Sequence, residues 1–171
     1  MGANEAINKL LAAKLIKEVP RSELWCVNPL TVAANARGKR RLCIDLSRCV
    51  NCVVKSPKFK IESTVAALQV VEPGDFMFSF DLKSAYLQVR INPNFTKYFG
   101  FAAEMGDGRK RFFFYCHMCF GLNDACRVLT KLLRSPLERW RKNGIRLFIH
   151  VDDGLCLVRG RDQALKASER V

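Results

Sequence analysis

Residues 149–155 read Ile149-His150-Val151-Asp152-Asp153-Gly154-Leu155. Two adjacent carboxylates lie between a predicted strand, Arg146 to Val151, and a second apolar run, Leu155 to Val158. An unpaired carboxylate is costly to bury in an apolar segment. Two of them at the tip of a hairpin therefore imply a held cation. A third acidic residue that completes such a site is Asp81, in Phe80-Asp81-Leu82-Lys83-Ser84-Ala85-Tyr86. Three carboxylates brought together repel one another unless a divalent metal neutralises them. Magnesium is hard, prefers oxygen ligands and is shared between a few carboxylates and substrate phosphates. Two such ions about 4 Å apart activate an attacking hydroxyl and stabilise a leaving pyrophosphate. A lone Asp-Asp pair is more simply a structural turn or a calcium site.

The charge balance points the same way. The chain has 29 Lys+Arg against 16 Asp+Glu, a formal net charge of +13. The excess recurs at Arg37 to Arg41, at Lys55, Lys58 and Lys60, at Arg109 to Arg111 and at Arg139 to Lys142. A folded domain with positive charge spread this way favours a polyanion, most simply nucleic acid. A basic but merely soluble surface is the plainer alternative. The basic stretch Lys39 to Arg41 suits a triphosphate, with arginine giving bidentate contacts. The length, 171 residues, and 49% hydrophobic content describe one globular domain with a real core. No apolar run approaches the roughly 20 residues that span a bilayer. Eight cysteines without a secretory signal indicate free thiols in a reducing compartment, cytoplasmic or nuclear. Cys49-x-x-Cys52 and Cys116-x-x-Cys119 have zinc-knuckle spacing, but buried small hydrophobes explain them as well.

The order of elements indicates an α+β fold. An amphipathic helix is expected over Asn4 to Val19, with Ile7, Leu10, Leu11 and Leu15 on one face. A hairpin follows, with strands Trp25 to Ala34 and Arg40 to Leu46 about a turn at Asn35 to Gly38. Lys55 to Lys60 reads as a basic loop and Ser63 to Val71 as a short helix stopped by Pro73-Gly74. Phe76 to Leu82 is a strand ending at Asp81. Tyr98 to Ala102 and Lys110 to Cys116 form a hairpin closed by Gly106-Asp107-Gly108. Val128, Leu129, Leu132 and Leu133 mark a helix. Ser135-Pro136-Leu137-Glu138 has the form of a capping box and predicts a kink or restart there. A last helix begins near Arg161.

Four segments resemble reverse-transcriptase motifs, in family order. FSFDLKSAYLQVRI resembles motif A, CFGLNDACRVLTKLL motif B, IHVDDGL motif C, and GKRRLCIDLSRCVN the fingers motif that precedes them. Together they cover residues 38 to 155. The segment TKLLRSPLERWRKNGI resembles DIRS-type retrotransposons. The resemblance implies a right-hand polymerase with an antiparallel palm sheet packed on helices. Fingers of about 1–75 and 90–115 would interleave with palm of about 76–90 and 116–171. The thumb would be absent, and thumb and RNase H regions are expected in a full-length relative.

By the same resemblance, Asp81, Asp152 and Asp153 are the catalytic carboxylates and the ligands of two Mg2+ ions, for which Mn2+ can substitute. Arg41 and Lys39 contact the incoming triphosphate. Tyr86 lies under the sugar and excludes a ribose 2′-hydroxyl. Phe120 and Gly121 line the nucleotide and template pocket. Without the motif, Tyr86 and Phe120 read as packed aromatics. The implied partners are an RNA or DNA template with its primer and deoxynucleoside triphosphates, with no membrane. The implied activity is RNA-directed DNA synthesis. Three departures stand out: His150 where the family carries tyrosine, and Cys119 and Cys126 where prolines are common. A truncated, non-catalytic relic that binds nucleic acid or a partner is the alternative. An RNA-directed RNA polymerase is a third reading, from which Tyr86 and FGLNDA point away.

Overall fold

A computed structural model describes residues 2–34 and 40–169. In chain order the elements are α1 (Ala3–Ala12), β1 (Ile16–Glu18), β2 (Val27–Asn28), β3 (Leu30–Ala34), β4 (Arg40–Ile44), α2 (Val50–Val53), α3 (Thr64–Leu68), β5 (Asp75–Asp81), β6 (Gly100–Glu104), β7 (Lys110–Tyr115), α4 (Ala125–Lys142), β8 (Arg146–His150), β9 (Asp153–Arg159) and α5 (Arg161–Ser168). Short 3₁₀ turns lie at Arg21–Glu23, Ala85–Gln88 and Pro93–Tyr98. The mixed α+β class is as the sequence indicates. The chain forms two compact units, one of Met1–Ser56 with Tyr86–Ala125 and one of Pro57–Ala85 with Cys126–Val171.

The first unit is built on a four-stranded sheet of order β1-β7-β6-β2 and on the antiparallel pair β3–β4. Alternation in β7 (Lys-Arg-Phe-Phe-Phe-Tyr) turns Phe113 and Tyr115 inward, where both are buried. Phe101 of β6 stacks on Phe113 at 5.3 Å, and both are fully buried. Ile7, Ile16, Leu42, Ile44, Leu46 and Val50 complete this core. The buried Asn28 donates to the Tyr98 and Gly100 carbonyls, each at 2.9 Å, and so ties β2 to β6.

Helix α1 is shorter than the apolar period suggests. It ends at Ala12, and Lys14 takes a left-handed φ of +57°. Ile16 then pairs with Tyr115 in β1–β7. Sheet pairing of Ile16 overrides a helical pattern that nominally continues to Val19. The first expected strand, Trp25 to Ala34, is likewise two: β2 runs parallel to β6, and β3 pairs with β4. The turn expected at Asn35 to Gly38 lies outside the described residues. The expectation of eight free thiols is corrected: Cys26 and Cys49 form a disulfide, with Cα atoms 6.7 Å apart. The hairpin between them brings the segments on either side within bridging reach.

The second unit is a three-stranded antiparallel sheet, order β5-β9-β8, with α3, α4 and α5. Strands β5 and β9 pair over seven positions, from Asp75↔Arg159 to Asp81↔Asp153. Leu137, Ile145, Leu147, Ile149, Cys156 and Val158 form its core, with Phe80, Leu133 and Trp140 against them. Ser63 caps α3, its Oγ accepting from the Ala66 amide at 3.1 Å. Of the kink or restart expected at Pro136, the restart does not occur. Helix α4 runs unbroken through it, because Leu133, Leu137 and Trp140 pack on the one core from both sides of the proline.

Asp75, whose side chain is 1% exposed, pairs with Arg146 and accepts from the Glu72 amide at 2.7 Å. The Arg146 guanidinium, then the Glu72 amide, hold its carboxyl below the usual carboxylate range. A pKa depressed by folding stabilises above the ordinary carboxylate pKa, and that stability is lost as pH falls through the lowered value. Asp75→Asn is therefore expected to lower the melting temperature at pH 7 and to shrink the difference from wild type as pH falls through the acid range. Melting curves from pH 7 to pH 2 check it; a constant difference contradicts it.

Candidate active site

Antiparallel pairing sets Asp81, the last residue of β5, directly opposite Asp153, the first of β9. Directly opposed residues present side chains on one face of the sheet. Both are exposed, and Asp152 is half-buried in the two-residue loop between β8 and β9. The Leu82 amide donates to the Asp152 carbonyl at 2.9 Å, so the end of β5 is stapled to that loop. On the adjacent register position Phe80 faces Gly154, and a Cβ on Gly154 would sit 2.1 Å from the Phe80 ring. The glycine gives the ring a flat backbone to lie on, which fixes the β5–β9 register beside the carboxylates.

The loop itself is strained. Val151 has φ +62°, a left-handed conformation that a β-branched residue adopts only when its surroundings impose it. Val151→Gly is expected to raise thermal stability by about 1 kcal/mol while loosening the loop that carries Asp152. Thermal melts check the first effect; a lower melting temperature contradicts it.

On the far edge of β8 the Glu62 carboxylate accepts from the Ile149 amide at 3.1 Å and from Arg141 at 2.7 and 2.8 Å. Arg141 also donates to the Leu147 carbonyl, at 2.6 Å from Nη2. The His150 ring nitrogen Nδ1 lies 2.9 Å from the Glu62 carbonyl. This network closes an open strand edge. It engages His150 with Glu62, at the hairpin end that carries the carboxylates.

The residues expected from the resemblance to face the nucleotide form a cluster within the first unit. Tyr86 meets Phe120 edge to face, with centroids 5.5 Å apart at 81°. The Arg41 guanidinium lies 5.3 Å from the Phe120 ring centroid. Gly121 follows with φ +110°, and a Cβ there would sit 2.1 Å from the Ile44 carbonyl oxygen. Arg41, Tyr86, Phe120 and Gly121 are thus brought together, and Asp81, Asp152 and Asp153 lie at one end of the β5–β9–β8 sheet. Lys39 lies outside the described residues. Burial pushes the Cys119 thiol up to about 12, so Cys119 is a neutral core side chain beside the cluster.

Neither family models nor curated proteins match the chain. Among solved structures, a foamy viral protease–reverse transcriptase in complex with double-stranded DNA superposes with a TM-score of 0.78. The fold is reverse-transcriptase-like. Sequence identity is 17%, so what is shared is the fold. The alignment covers 98% of this chain and 28% of that chain.

Within this reverse-transcriptase-like fold, the hairpin end suits a hard cation by its chemistry. All its donors are carboxylate oxygens, and like charges set directly opposite destabilise a sheet unless something neutralises them. Ion pairs in the second unit join Glu62 to Arg141, Glu72 to Arg159 and Asp75 to Arg146. Among the described residues no group of three or more His, Cys, Asp or Glu side chains is placed to hold a metal ion, Asp81, Asp152 and Asp153 included. Magnesium in phosphoryl-transfer sites takes one or two carboxylates plus substrate phosphates rather than a full set of protein ligands. Zinc-knuckle use of Cys49 is overturned, since Cys49 is in the disulfide.

Two features escape a reading of the sequence. Gly154 inside a strand pattern is a signal of close backbone approach, and it marks the Phe80 contact. Asn51 carries no local signal, because its partners lie about seventy residues away.

Proposed function

We propose that this chain is the fingers and palm part of a retroelement reverse transcriptase, which extends a primer 3′-hydroxyl with deoxynucleotides on an RNA or DNA template. The observation that carries the proposal is the Asp81↔Asp153 pairing with Asp152 in the adjoining loop, in a fold of this kind. Asp81 and Asp152 would hold Mg2+, and Asp153 adds negative charge beside them. When bound, the metal supplies activation of the 3′-hydroxyl and stabilisation of the leaving pyrophosphate. Arg41 neutralises triphosphate charge. Tyr86, braced by Phe120, packs under the sugar and discriminates against a 2′-hydroxyl. The basic surface holds template and primer through phosphates, with little sequence preference. Positioning and charge neutralisation account for most of the catalysis in phosphoryl transfer. The DIRS-type assignment rests on the wording of residues 130–145 alone.

The test is primer extension on poly(rA) primed with oligo(dT), in Mg2+, with the wild-type chain and Asp152→Asn. Expected is metal-dependent incorporation by wild type and none by the variant. Binding of the template-primer without incorporation by either would favour the non-catalytic reading.

A further inference from the structure

Asn51 lies on α2, the short helix after β4, and its side chain is half-buried. Its carboxamide makes two hydrogen bonds to one loop. Nδ2 donates to the Gly121 carbonyl at 2.7 Å, and Oδ1 accepts from the Asn123 amide at 3.0 Å. A carboxamide is the one neutral side-chain group that donates and accepts from the same planar end. It therefore closes both sides of a short loop, as a backbone peptide does in a sheet.

The clamped loop begins with the residue that matters to the nucleotide cluster. Phe120 braces Tyr86 and lies beneath Arg41. Gly121 takes φ +110° and approaches Ile44 so closely that a side chain has no room. At the loop's end the buried Asp124 accepts from Ser56 Oγ at 2.7 Å. Between Phe120 and Asp124, the Gly121 carbonyl and the Asn123 amide are held by Asn51. Helix α2 is itself secured: its N-cap residue, Cys49, is bonded to Cys26, and the Asn51 amide donates to the Leu46 carbonyl at 2.9 Å.

We propose that Asn51 is a positioning residue for nucleotide selection. It fixes the Phe120–Asn123 loop so that Phe120 holds Tyr86 in the orientation that discriminates deoxyribose from ribose. The inference rests on the nucleotide-side role assigned above to Tyr86 and Phe120. It adds a residue that touches neither sugar nor phosphate and acts through the loop.

The experiment uses the full chain with Mg2+ and template-primer. Affinities for deoxythymidine triphosphate and uridine triphosphate are read by displacement of a fluorescent deoxynucleotide, and amide exchange is read at Asn123. For Asn51→Ala the expected result is about tenfold weaker deoxynucleotide binding, a smaller change for the ribonucleotide, and Asn123 exchange about tenfold faster. Unchanged affinity and selectivity in that variant would overturn the proposal. If Asn51→Ala does not fold, Asn51→Asp decides. It keeps an acceptor for Asn123 but loses the donor to Gly121, so it is expected to retain Asn123 protection and still lose selectivity. Wild-type selectivity in Asn51→Asp would overturn the proposal. Failure of the wild-type chain to bind either nucleotide would overturn the polymerase reading and the nucleotide role of Asn51 with it. Exchange at Asn123 separates the cases: faster exchange in Asn51→Ala establishes the clamp whatever the nucleotide result.

Discussion

Asp81→Asn is expected to reduce metal-dependent incorporation by about 10³-fold or more and to raise the melting temperature of the metal-free protein. The two effects have opposite signs because one arrangement causes both. Asp81 faces Asp153 across the β5–β9 pair, and like charges opposite one another destabilise a sheet. Both side chains are exposed, so solvent and salt screen the repulsion, and the gain is small, about 1–3 °C. Loss of a carboxylate proposed to hold the metal would remove several kcal/mol of transition-state stabilisation, and each 1.36 kcal/mol is about tenfold in rate. Millimolar Mg2+ should raise the wild-type melting temperature and leave that of the variant nearly unchanged. Primer extension and melting curves in EDTA and in Mg2+ check this. A variant that loses stability in EDTA would mean that Asp81 is structural.

Gly121→Ala is expected to be the most damaging single methyl in the first unit. Its φ of +110° is a conformation that favours glycine, and the added Cβ meets the Ile44 carbonyl oxygen at 2.1 Å. Ile44 is buried in β4 and pairs with Leu30, so the backbone oxygen cannot swing aside as a side chain would. The combined strain is about 2–4 kcal/mol, a fall of about 5–15 °C in melting temperature. Gly108→Ala is the matched control. Gly108 also has positive φ, +71°, but nothing lies within 4 Å of its Cβ position, so only the conformational cost applies. Equal melting temperatures for the two variants would contradict the account of the Gly121–Ile44 contact. Gly121→Ala should also weaken the hold of Asn51 on the loop, visible as faster Asn123 exchange.

What could be read from the sequence divides along physical lines. Strands that alternate or end in a clear signal were legible: β5, β7, β8 and β9 lie within a residue or two of their expected bounds, and the carboxylates fall at one end of their sheet. Elements decided by distant partners were not. The C-terminal part of the expected first helix is a strand because Ile16 finds Tyr115, about a hundred residues away. Pro136 carries a break signal, yet the helix continues because Leu137 and Trp140 pack on the same core as Leu133. The Cys26–Cys49 bridge follows from the closing of a hairpin, which spacing alone does not reveal. Arg41, Tyr86 and Phe120 follow from the family resemblance, whereas the contacts of Phe120 with Tyr86 and Arg41 come from the geometry. Asn51 was invisible, since a hydrogen bond over seventy residues leaves no trace in local pattern.

The proposed function depends on Asp81 and Asp152, with the charge of Asp153 beside them, holding a divalent metal. The direct measurement is paramagnetic broadening of amide resonances by substoichiometric Mn2+, with Mg2+ as competitor. Broadening is expected to centre on Asp81, Asp152, Asp153 and Gly154, to be reversed by Mg2+ and to be lost in Asp152→Asn. Broadening centred elsewhere, or unchanged in Asp152→Asn, would contradict it.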